Sequence, residues 1–576
     1  MDALKKVNAL YDQWSSYHME DPDLKKELLA IRGDEEAIED RFYRELEFGT
    51  AGLRGVIGAG TNRMNIYVVR KTTQALADYL RGTYHNAAVA ISYDSRIKSS
   101  LFAKEAAKVL AANKIKVYIY RQLMPVPCLS FAVRELSCQS GIMVTASHNP
   151  AKYNGYKVYG ADGCQITSEI ADKVLQLSSK IDTFTGAKLM DFDAALNEGI
   201  ISYIAPEVEQ KYLDKVKERS VHPEALRDAN LKVVYTPLNG AGNRPVRTLL
   251  SQMGVTDIHV VQEQEEPDGK FPTCPFPNPE IKEALELGLR DCENYKPDIL
   301  LATDPDCDRM GIAVPDKSGK YVLVSGNEVG ALLTEYICHE RTEMGIMPKD
   351  PVVVKTIVST GMVEKICEAY GVQLRNVLTG FKYIGEQIGI LEAAGEEERF
   401  IFGFEESYGY LAGSYVRDKD GVIASMLICE MTAYYRKKGI SVLDALEALY
   451  KKYGVFSHST VSFMCEGASG MEKMAQIMKD IRFHRPETIG GLRVIAYADY
   501  EQSVLYDIVN QSQQTISLPK SNVLEYQLEG GASVILRPSG TEPKIKAYYT
   551  SIGNSFEEAK EVETKLQGDF TKILGF

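Results

Sequence analysis

The chain has no apolar run of the ~18 residues that a membrane-spanning helix needs, and its opening, MDALKKVNALYDQW, lacks the apolar core of a secretory signal. A membrane or exported protein is therefore not expected, and the cytoplasm is the expected compartment. Positive charge is not in excess: 66 Lys and Arg stand against 79 Asp and Glu, a net charge of −13. Unselective attraction to nucleic acid or anionic lipid is excluded on that balance, and an anionic substrate would need a local basic site. The ten cysteines (128, 138, 164, 274, 292, 307, 338, 367, 429, 465) show no CxxC and no paired spacing, which argues against a disulfide framework or a Cys-based zinc site. Gly/Ser-rich linkers and low-complexity tracts are missing as well. What is present is 576 residues, 45% apolar and 25% charged, enough for roughly three to five globular domains.

One pattern recurs three times: a short β-branched run, a Gly or polar turn, and an amphipathic stretch, the signature of βαβ units in mixed or parallel sheets. The first block holds AVAISYD (88–94), a helix over 99–114, KVYIY (116–120) and GIMVT (141–145). LKVVYTP (231–237), DIHVVQ (257–262), a helical stretch over 280–292 and DILLATD (298–304) make the second. VVVKTIVST (352–360), two amphipathic stretches and RFIFGF (399–404) make the third. Beyond them, VIAYADY, ASVILRPSG, IKAYYT and a long amphipathic stretch over 556–574 predict a smaller α+β domain. The expected division is 1–210, 211–325, 326–458 and 459–576. PDGKFPTCPFPNPE (267–280) carries five prolines in 14 residues and predicts a stiff irregular excursion within the second block.

Five polar segments sit on this frame. TASHNP (145–150) follows the strand GIMV and would expose Ser147 at a sheet edge, although an ordinary strand-ending turn has the same residues. It is not a GxSxG elbow. Asp304, Asp306 and Asp308 alternate along DPDCDR, and three carboxylates on one side of an extended chain call for a cation. Arg309 and Pro315 occupy the positions where a calcium EF-hand needs Gly and Glu, so Mg²⁺ completed by phosphate or water is the better match; a solvated acidic turn is the plain alternative. In RPSGTEPK, Arg537 offers a planar fork while Ser539, Gly540 and Thr541 offer N–H groups and hydroxyls to a phosphate, or make a tight turn. It is not a Walker A loop. Glu405 and Ser407 in GFEESYG suit adjacent hydroxyls of a polyol, or an acidic surface turn. Arg54, Arg96, Lys157 and Lys382 lie beside these loops, at strand ends where such sheets bind ligands.

In number and order, GTAGLRG, TASHNP, DPDCDR, GFEESYG and RPSGT resemble the α-D-phosphohexomutase family, in particular its phosphoglucomutase and phosphomannomutase members. The resemblance covers nearly the whole chain. It implies three topologically similar mixed-sheet α/β domains plus a C-terminal α+β domain around one central cleft. It also implies that Ser147 is the phosphorylated serine and that Asp304, Asp306 and Asp308 hold one Mg²⁺ with its phosphate. Lys157 and His148 match catalytic positions. Arg54, Arg96, Arg309, Lys382, Glu405, Ser407, Arg417 and Lys419 match substrate contacts, and Arg537, Ser539, Gly540 and Thr541 match the grip on the non-reacting phosphate. The implied reaction interconverts glucose 1-phosphate and glucose 6-phosphate through bound glucose 1,6-bisphosphate. The implied partners are small sugar phosphates, with no nucleic acid or membrane, in a monomer or weak dimer.

The GFEES wording is similar to glucose-preferring relatives rather than to the GEMSGH form, while TPLNGAG (236–242) and PDGKFP also resemble phosphopentomutases. Mannose and pentose phosphates are thus alternative substrates. A phosphoserine-type phosphatase and a non-catalytic sugar-phosphate sensor are alternatives of a different class. Ala151 and Lys152 stand where some relatives have glycines.

Overall fold

β-branched runs with no polar face form strands covered on both sides, and the first sheet is built on two of them. Ala88–Tyr93 and Ser140–Val144 are buried nearly throughout and pair in parallel, with Ile91 beside Ile142. Lys116–Ile119 and Ile201–Tyr203 continue the sheet in parallel. On the other side Tyr153–Gly160 and then Gly52–Val56 are antiparallel. Helices Ser99–Ala112 and Val126–Glu135 pack on the two central strands. The computed structural model describes residues 2–46, 49, 52–465, 470–539 and 544–576.

The second sheet repeats that plan. Ile299–Thr303 lies between Lys232–Thr236, its parallel neighbour, and Met310–Pro315, its antiparallel one; Asp257–Val260 and Tyr321–Val324 form the edges. Ser140–Val144 and Ile299–Thr303 therefore hold the same place in two like sheets, and the segments 145–150 and 304–309 leave them at the same end. Both sheets belong to a unit of Met1–Ser325, Ile384–Phe400 and Tyr408–Lys438.

A second unit comprises Gly326–Tyr383, Ile401–Ser407 and Gly439–Phe576. In it Val352–Thr356 lies between Gln373–Val377, parallel to it, and Phe400–Glu405. Its other sheet is antiparallel and runs Val455–Met464, Lys544–Gly553, Ser533–Pro538, Leu524–Leu528, Leu492–Asp499, Val504–Asp507 and Ser512–Thr515. Helices Gly470–Phe483 and Phe556–Ile573 contribute Met474, Met478, Leu566 and Phe570 to one core with Tyr526, Leu536 and Tyr549. Three mixed α/β sheets and a further antiparallel domain are thus present, as the strand pattern predicts.

The sequence reading assigns no element before residue 88, where the structure has helices Asp2–Ser16, Pro22–Ala30 and Glu35–Phe42. They close over the first domain through an aromatic cluster in which Trp14 packs edge-on against Phe42, Tyr67 and Phe184. The proline-rich 267–280 is irregular apart from short turns, as expected. All ten cysteines are buried and free. Among the described residues no helix is long and apolar enough to cross a membrane.

Gly155 lies in Tyr153–Gly160 between two partners, and a Cβ there would sit 2.4 Å from the Thr145 carbonyl oxygen and 2.8 Å from that of Leu53. Main chain cannot yield as a side-chain tip does. Gly155→Ala is expected to cost about 2 kcal/mol or more. Gly82→Ala, in helix Ile66–Thr83 with nothing within 4 Å of the added carbon, is expected to be neutral or slightly stabilising. Urea unfolding midpoints of the two variants against the parent check the contrast.

Candidate active site

Where Ser140–Val144 ends, the chain turns back on itself, and Ser147 takes a left-handed conformation, φ 52°, that few non-glycine residues adopt. Two contacts hold it there. The Ser147 N–H donates to Thr145 Oγ1 at 2.8 Å, and Thr145 Oγ1 lies 2.6 Å from Asp94 Oδ2 and 3.1 Å from Asp306 Oδ2. Arg96 lies buried beneath the loop and donates to the carbonyls of Ser147, Asn149, Pro150 and Tyr153, the last two at 3.0 and 3.1 Å. Asp94 Oδ2 is 3.3 Å from the Arg96 guanidinium, so that charge is balanced inside the domain.

Ile299–Thr303 delivers the second loop. Asp304 Oδ1 accepts the backbone N–H groups of Asp308 and Arg309 at 3.1 and 3.0 Å, and Cys307 closes the turn with φ 50°. That fold turns Asp304, Asp306 and Asp308 to one point: all three are buried, and each offers an oxygen within 4.8 Å of the others. Asp306 Oδ1 and Asp308 Oδ1 are buried without a hydrogen bond. Across the gap, Ser147 Oγ donates to Asp304 Oδ2 at 2.9 Å. Nucleophile candidate and acidic triplet, 157 positions apart in the chain, meet within one hydrogen bond.

Charge at this point is high. Unit charges 4.8 Å apart at an effective dielectric of about 20 repel by roughly 3 kcal/mol per pair. Burial first, then Asp306 and Asp308, push the Asp304 carboxyl well above the usual carboxylate range. Asp308 goes the other way: burial opposes ionisation, but Lys419, Lys157 and Arg309 outweigh it and hold the carboxyl below that range. Lys419 Nζ lies 2.8 Å from Asp308 Oδ2, and Lys157 Nζ lies 2.9 Å from Asp306 Oδ2 and 3.6 Å from Asp308 Oδ2. Burial works against the Lys157 ammonium too, yet these two carboxylates raise its pKa. His148 Nδ1 is 3.2 Å from Ser147 Oγ, and burial together with Arg309 and Arg54 keeps its pKa well below the ordinary value.

The other expected site residues fall into distinct settings. Arg54 is exposed on Gly52–Val56 and donates to Asn149 Oδ1 at 3.4 Å. Arg309 donates to Glu280, with its Nε 4.0 Å from Asp304 and 3.9 Å from Asp308. Arg417 is fully buried, donating to the carbonyls of Ser414 and Val416 and paired with Glu392 at 2.8 Å. The sequence reading places Arg96 and Arg417 among substrate contacts; in the structure both guanidiniums are buried, Arg96 on main-chain oxygens and beside Asp94, Arg417 on main-chain oxygens and Glu392. In the second unit the buried Glu405 accepts the Gly380 N–H at 2.9 Å, with Ser407 two residues on and Lys382 at the start of Phe381–Ala393. Arg537 lies near the end of Ser533–Pro538 and Ser539 follows it, while Gly540 and Thr541 lie outside the described residues. Tyr548 lies beside Glu406 and Arg537; burial first and then the Glu406 charge push its hydroxyl up to about 12, against the hydrogen bond from Arg537.

Asp94 and Asp418 were not anticipated. Asp418 accepts from Tyr159 and Gln165 at 2.8 and 3.0 Å and precedes Lys419. Both were legible in part, since Asp94 opens DSR and Asp418 sits within RDKD, but a lone Asp beside a cation looks solvated by default.

Comparison with known proteins bears on most of the chain. Residues 45–184, 210–319 and 325–453 match the models for phosphoglucomutase/phosphomannomutase α/β/α domains I, II and III. A phosphoglucomutase of Staphylococcus haemolyticus is 35% identical over 524 residues, 91% of this chain and 93% of that one. A phosphoglucomutase of Staphylococcus epidermidis is 36% identical over 514 residues, 89% and 92% of the two chains. Among solved structures, the open form of pp63/parafusin from Paramecium superimposes with a TM-score of 0.69 at 17% identity, over 92% of this chain and 95% of that one. A phosphoglucomutase/phosphomannomutase family protein from Burkholderia thailandensis gives 0.64 at 18% identity, over 92% and 96%.

Arg96→Lys keeps the charge but cannot reach four carbonyls at once. Hydrogen bonds to a charged donor are each worth about 1.5–3 kcal/mol. Amide hydrogen exchange across 147–153 is expected to quicken by about ten-fold or more, read by mass spectrometry, with exchange in the antiparallel domain unchanged.

Proposed function

The chain belongs to the phosphoglucomutase/phosphomannomutase family, and from that premise we propose that it is a phosphoglucomutase, interconverting glucose 1-phosphate and glucose 6-phosphate. The observation that carries the reading is the 2.9 Å contact of Ser147 Oγ with Asp304 inside a buried triplet of carboxylates. A hydroxyl there has little use as a mere structural group. Phosphorylated, it would add negative charge to a site where Lys157 and Lys419 offset only two of three carboxylates and Arg309 is already paired with Glu280. A divalent cation resolves that imbalance, and the two buried Oδ1 atoms without hydrogen bonds are open to it. Asp304, Asp306 and Asp308, with the Ser147 phosphate, would hold Mg²⁺, which when bound neutralises charge on the phosphoryl oxygens.

The residues of the chain then divide the work. Phospho-Ser147 passes its phosphoryl group to the free hydroxyl of the sugar monophosphate: the P–Oγ bond breaks, a P–O bond to the sugar forms, and the hydroxyl gives up its proton. Lys157, held beside Asp306, and His148, 3.2 Å from Ser147 Oγ, are the groups assigned to move that proton. The product at this stage is glucose 1,6-bisphosphate, which turns over and returns its other phosphoryl group to Ser147. Lys382, Glu405 and Ser407 read the sugar hydroxyls, and Arg537, Ser539, Gly540 and Thr541 grip the phosphate that does not react. Arg54, Arg309 and Lys419 add positive charge about the transferring group. Arg96 and Arg417 act from below by fixing main chain. Exclusion of water from the phosphoserine would suppress hydrolysis.

The division at 210, 325 and 458 goes with this reading, supported by the spans of the family models. So do a cytoplasmic monomer or weak dimer and sugar phosphates as partners, with net charge −13 supporting the exclusion of nucleic acid and anionic membranes.

With Mg²⁺ and glucose 1,6-bisphosphate present, glucose 1-phosphate is expected to isomerise with little release of free phosphate. Dominant phosphate release would make the enzyme a phosphatase, and a higher kcat/KM for ribose 1-phosphate would make it a phosphopentomutase. Ser147→Ala is expected to lower turnover by at least ~10⁴-fold with an unchanged circular dichroism spectrum; retained activity would overturn the covalent scheme. Chelation of divalent cations is expected to abolish turnover, and Asp308→Asn to raise the Mg²⁺ concentration for half-maximal rate.

A further inference from the structure

The excursion 267–280 reaches the two loops of the site by its opposite ends. Near its start, Gly269 bridges to Arg96 so closely that a Cβ would lie 2.4 Å from the Ile97 nitrogen and 2.6 Å from the Arg96 carbonyl carbon. Two residues on, Phe271, 1% exposed, sets its ring 5.0 Å from the Arg96 guanidinium. This is the guanidinium that carries the carbonyls of Ser147, Asn149, Pro150 and Tyr153. At the far end, Pro279 packs against Gly311 just after the acidic loop, where a Cβ would meet the proline oxygen at 2.7 Å. Glu280 accepts from Arg309, whose Nε is about equally near Asp304 and Asp308. Between these anchors Pro272, Pro275 and Pro277 restrict the backbone, so the span between them is stiff.

A mechanical need matches this arrangement. The shortest direct link between the loops, Ser147 Oγ to Asp304, uses the hydroxyl proton that phosphorylation removes, and the phosphate would repel the carboxylate in its place. A spacing that survives both states has to be held from outside the reacting atoms. A cation–π contact beneath one loop and an ion pair beside the other meet that requirement, because neither involves Ser147. Glu280 has a second effect: it takes the Arg309 Nη1 donor, so that this cation faces Asp304 and Asp308 with its Nε at 4.0 and 3.9 Å rather than in close contact.

We propose that residues 267–280 are a brace that keeps the nucleophile loop and the acidic loop at working distance, with Phe271 and Glu280 as positioning residues at its two ends. The proposal rests on the mutase reading for the meaning of that distance, and it is tested partly without turnover.

Phe271→Leu keeps an apolar side chain but removes the ring face; Glu280→Gln keeps the shape and removes the charge. Both are expected to lower kcat for glucose 1-phosphate by about 10- to 100-fold with KM within two-fold of the parent, since misplacement of reacting groups acts on the chemical step. Phe271→Tyr is expected to restore most of the loss of Phe271→Leu. Independently of catalysis, Glu280→Gln is expected to weaken binding of Mn²⁺ to the unphosphorylated protein by about ten-fold, in an electron paramagnetic resonance titration. Phe271→Leu is expected to quicken amide exchange over 147–153. The brace is overturned if both variants, folded at the assay temperature, keep kcat and Mn²⁺ affinity within two-fold of the parent, or if they change only the melting temperature. If Phe271→Leu does not fold, the 30%-exposed Glu280 decides the matter by itself. If the parent fails to turn over glucose 1-phosphate, the mutase reading falls, while the Mn²⁺ and exchange measurements still decide the brace.

Discussion

Three carboxylates within 4.8 Å of one another, out of contact with water, set the terms for everything near them. Left alone they would repel, take up protons or open the loop. The structure instead surrounds them with cations of graded availability. Lys157 and Lys419 are directly paired, and Arg309 is near but held by Glu280. Each comes from a different part of the chain: a strand of the first sheet, the segment before helix Gly421–Lys437, and the acidic loop itself. The charge problem is local, yet its solution ties the first two domains and the Arg417–Asp420 segment into one arrangement.

That demand explains why so much of the apparatus is buried. A guanidinium on four main-chain carbonyls, as with Arg96, does no chemistry, but it lets Ser147 keep a left-handed backbone next to an acidic loop. Asp94 closes the same network from Arg96 to Thr145, and Thr145 in turn reaches Asp306. Strain at Ser147 is therefore held by a set of bonds that runs to the acidic loop without passing through the serine oxygen.

Sequence alone carried the strands and helices of the α/β blocks because burial on both faces leaves a strong β-branched signal, and it drew attention to the Ser147 and Asp304 loops because Gly, Pro and acidic residues punctuate them. It did not carry the N-terminal helices, whose apolar residues join the first domain's core, with Trp14 in an aromatic cluster, and leave no alternation with strands. Nor did it separate surface from buried arginines. Arg54 and Arg96 look alike as letters, yet one is exposed and the other enclosed, because only the fold decides whether carbonyls converge on a guanidinium. Phe271 and Glu280 were hidden for a similar reason: a proline-rich stretch announces stiffness but not what its ends touch.

The repeated topology supplies the remaining step. Ser140–Val144 and Ile299–Thr303 are equivalent strands, each with a parallel neighbour on one side and an antiparallel one on the other, and each sends its following turn out at the same end. Equivalent turns in two copies of one sheet have no intrinsic reason to meet. They meet because the surroundings of one complement the other: the first copy supplies a hydroxyl, Lys157 and a buried Arg96, and the second supplies carboxylates. Neither turn would be stable in the company of its own kind, since two acidic loops would repel and two cation-backed serine loops would lack a counter-charge. Two like sheets can thus be joined at one point when they differ in charge at one equivalent connection, and the physical chemistry of that connection then favours the docking that the rest of the chain must maintain.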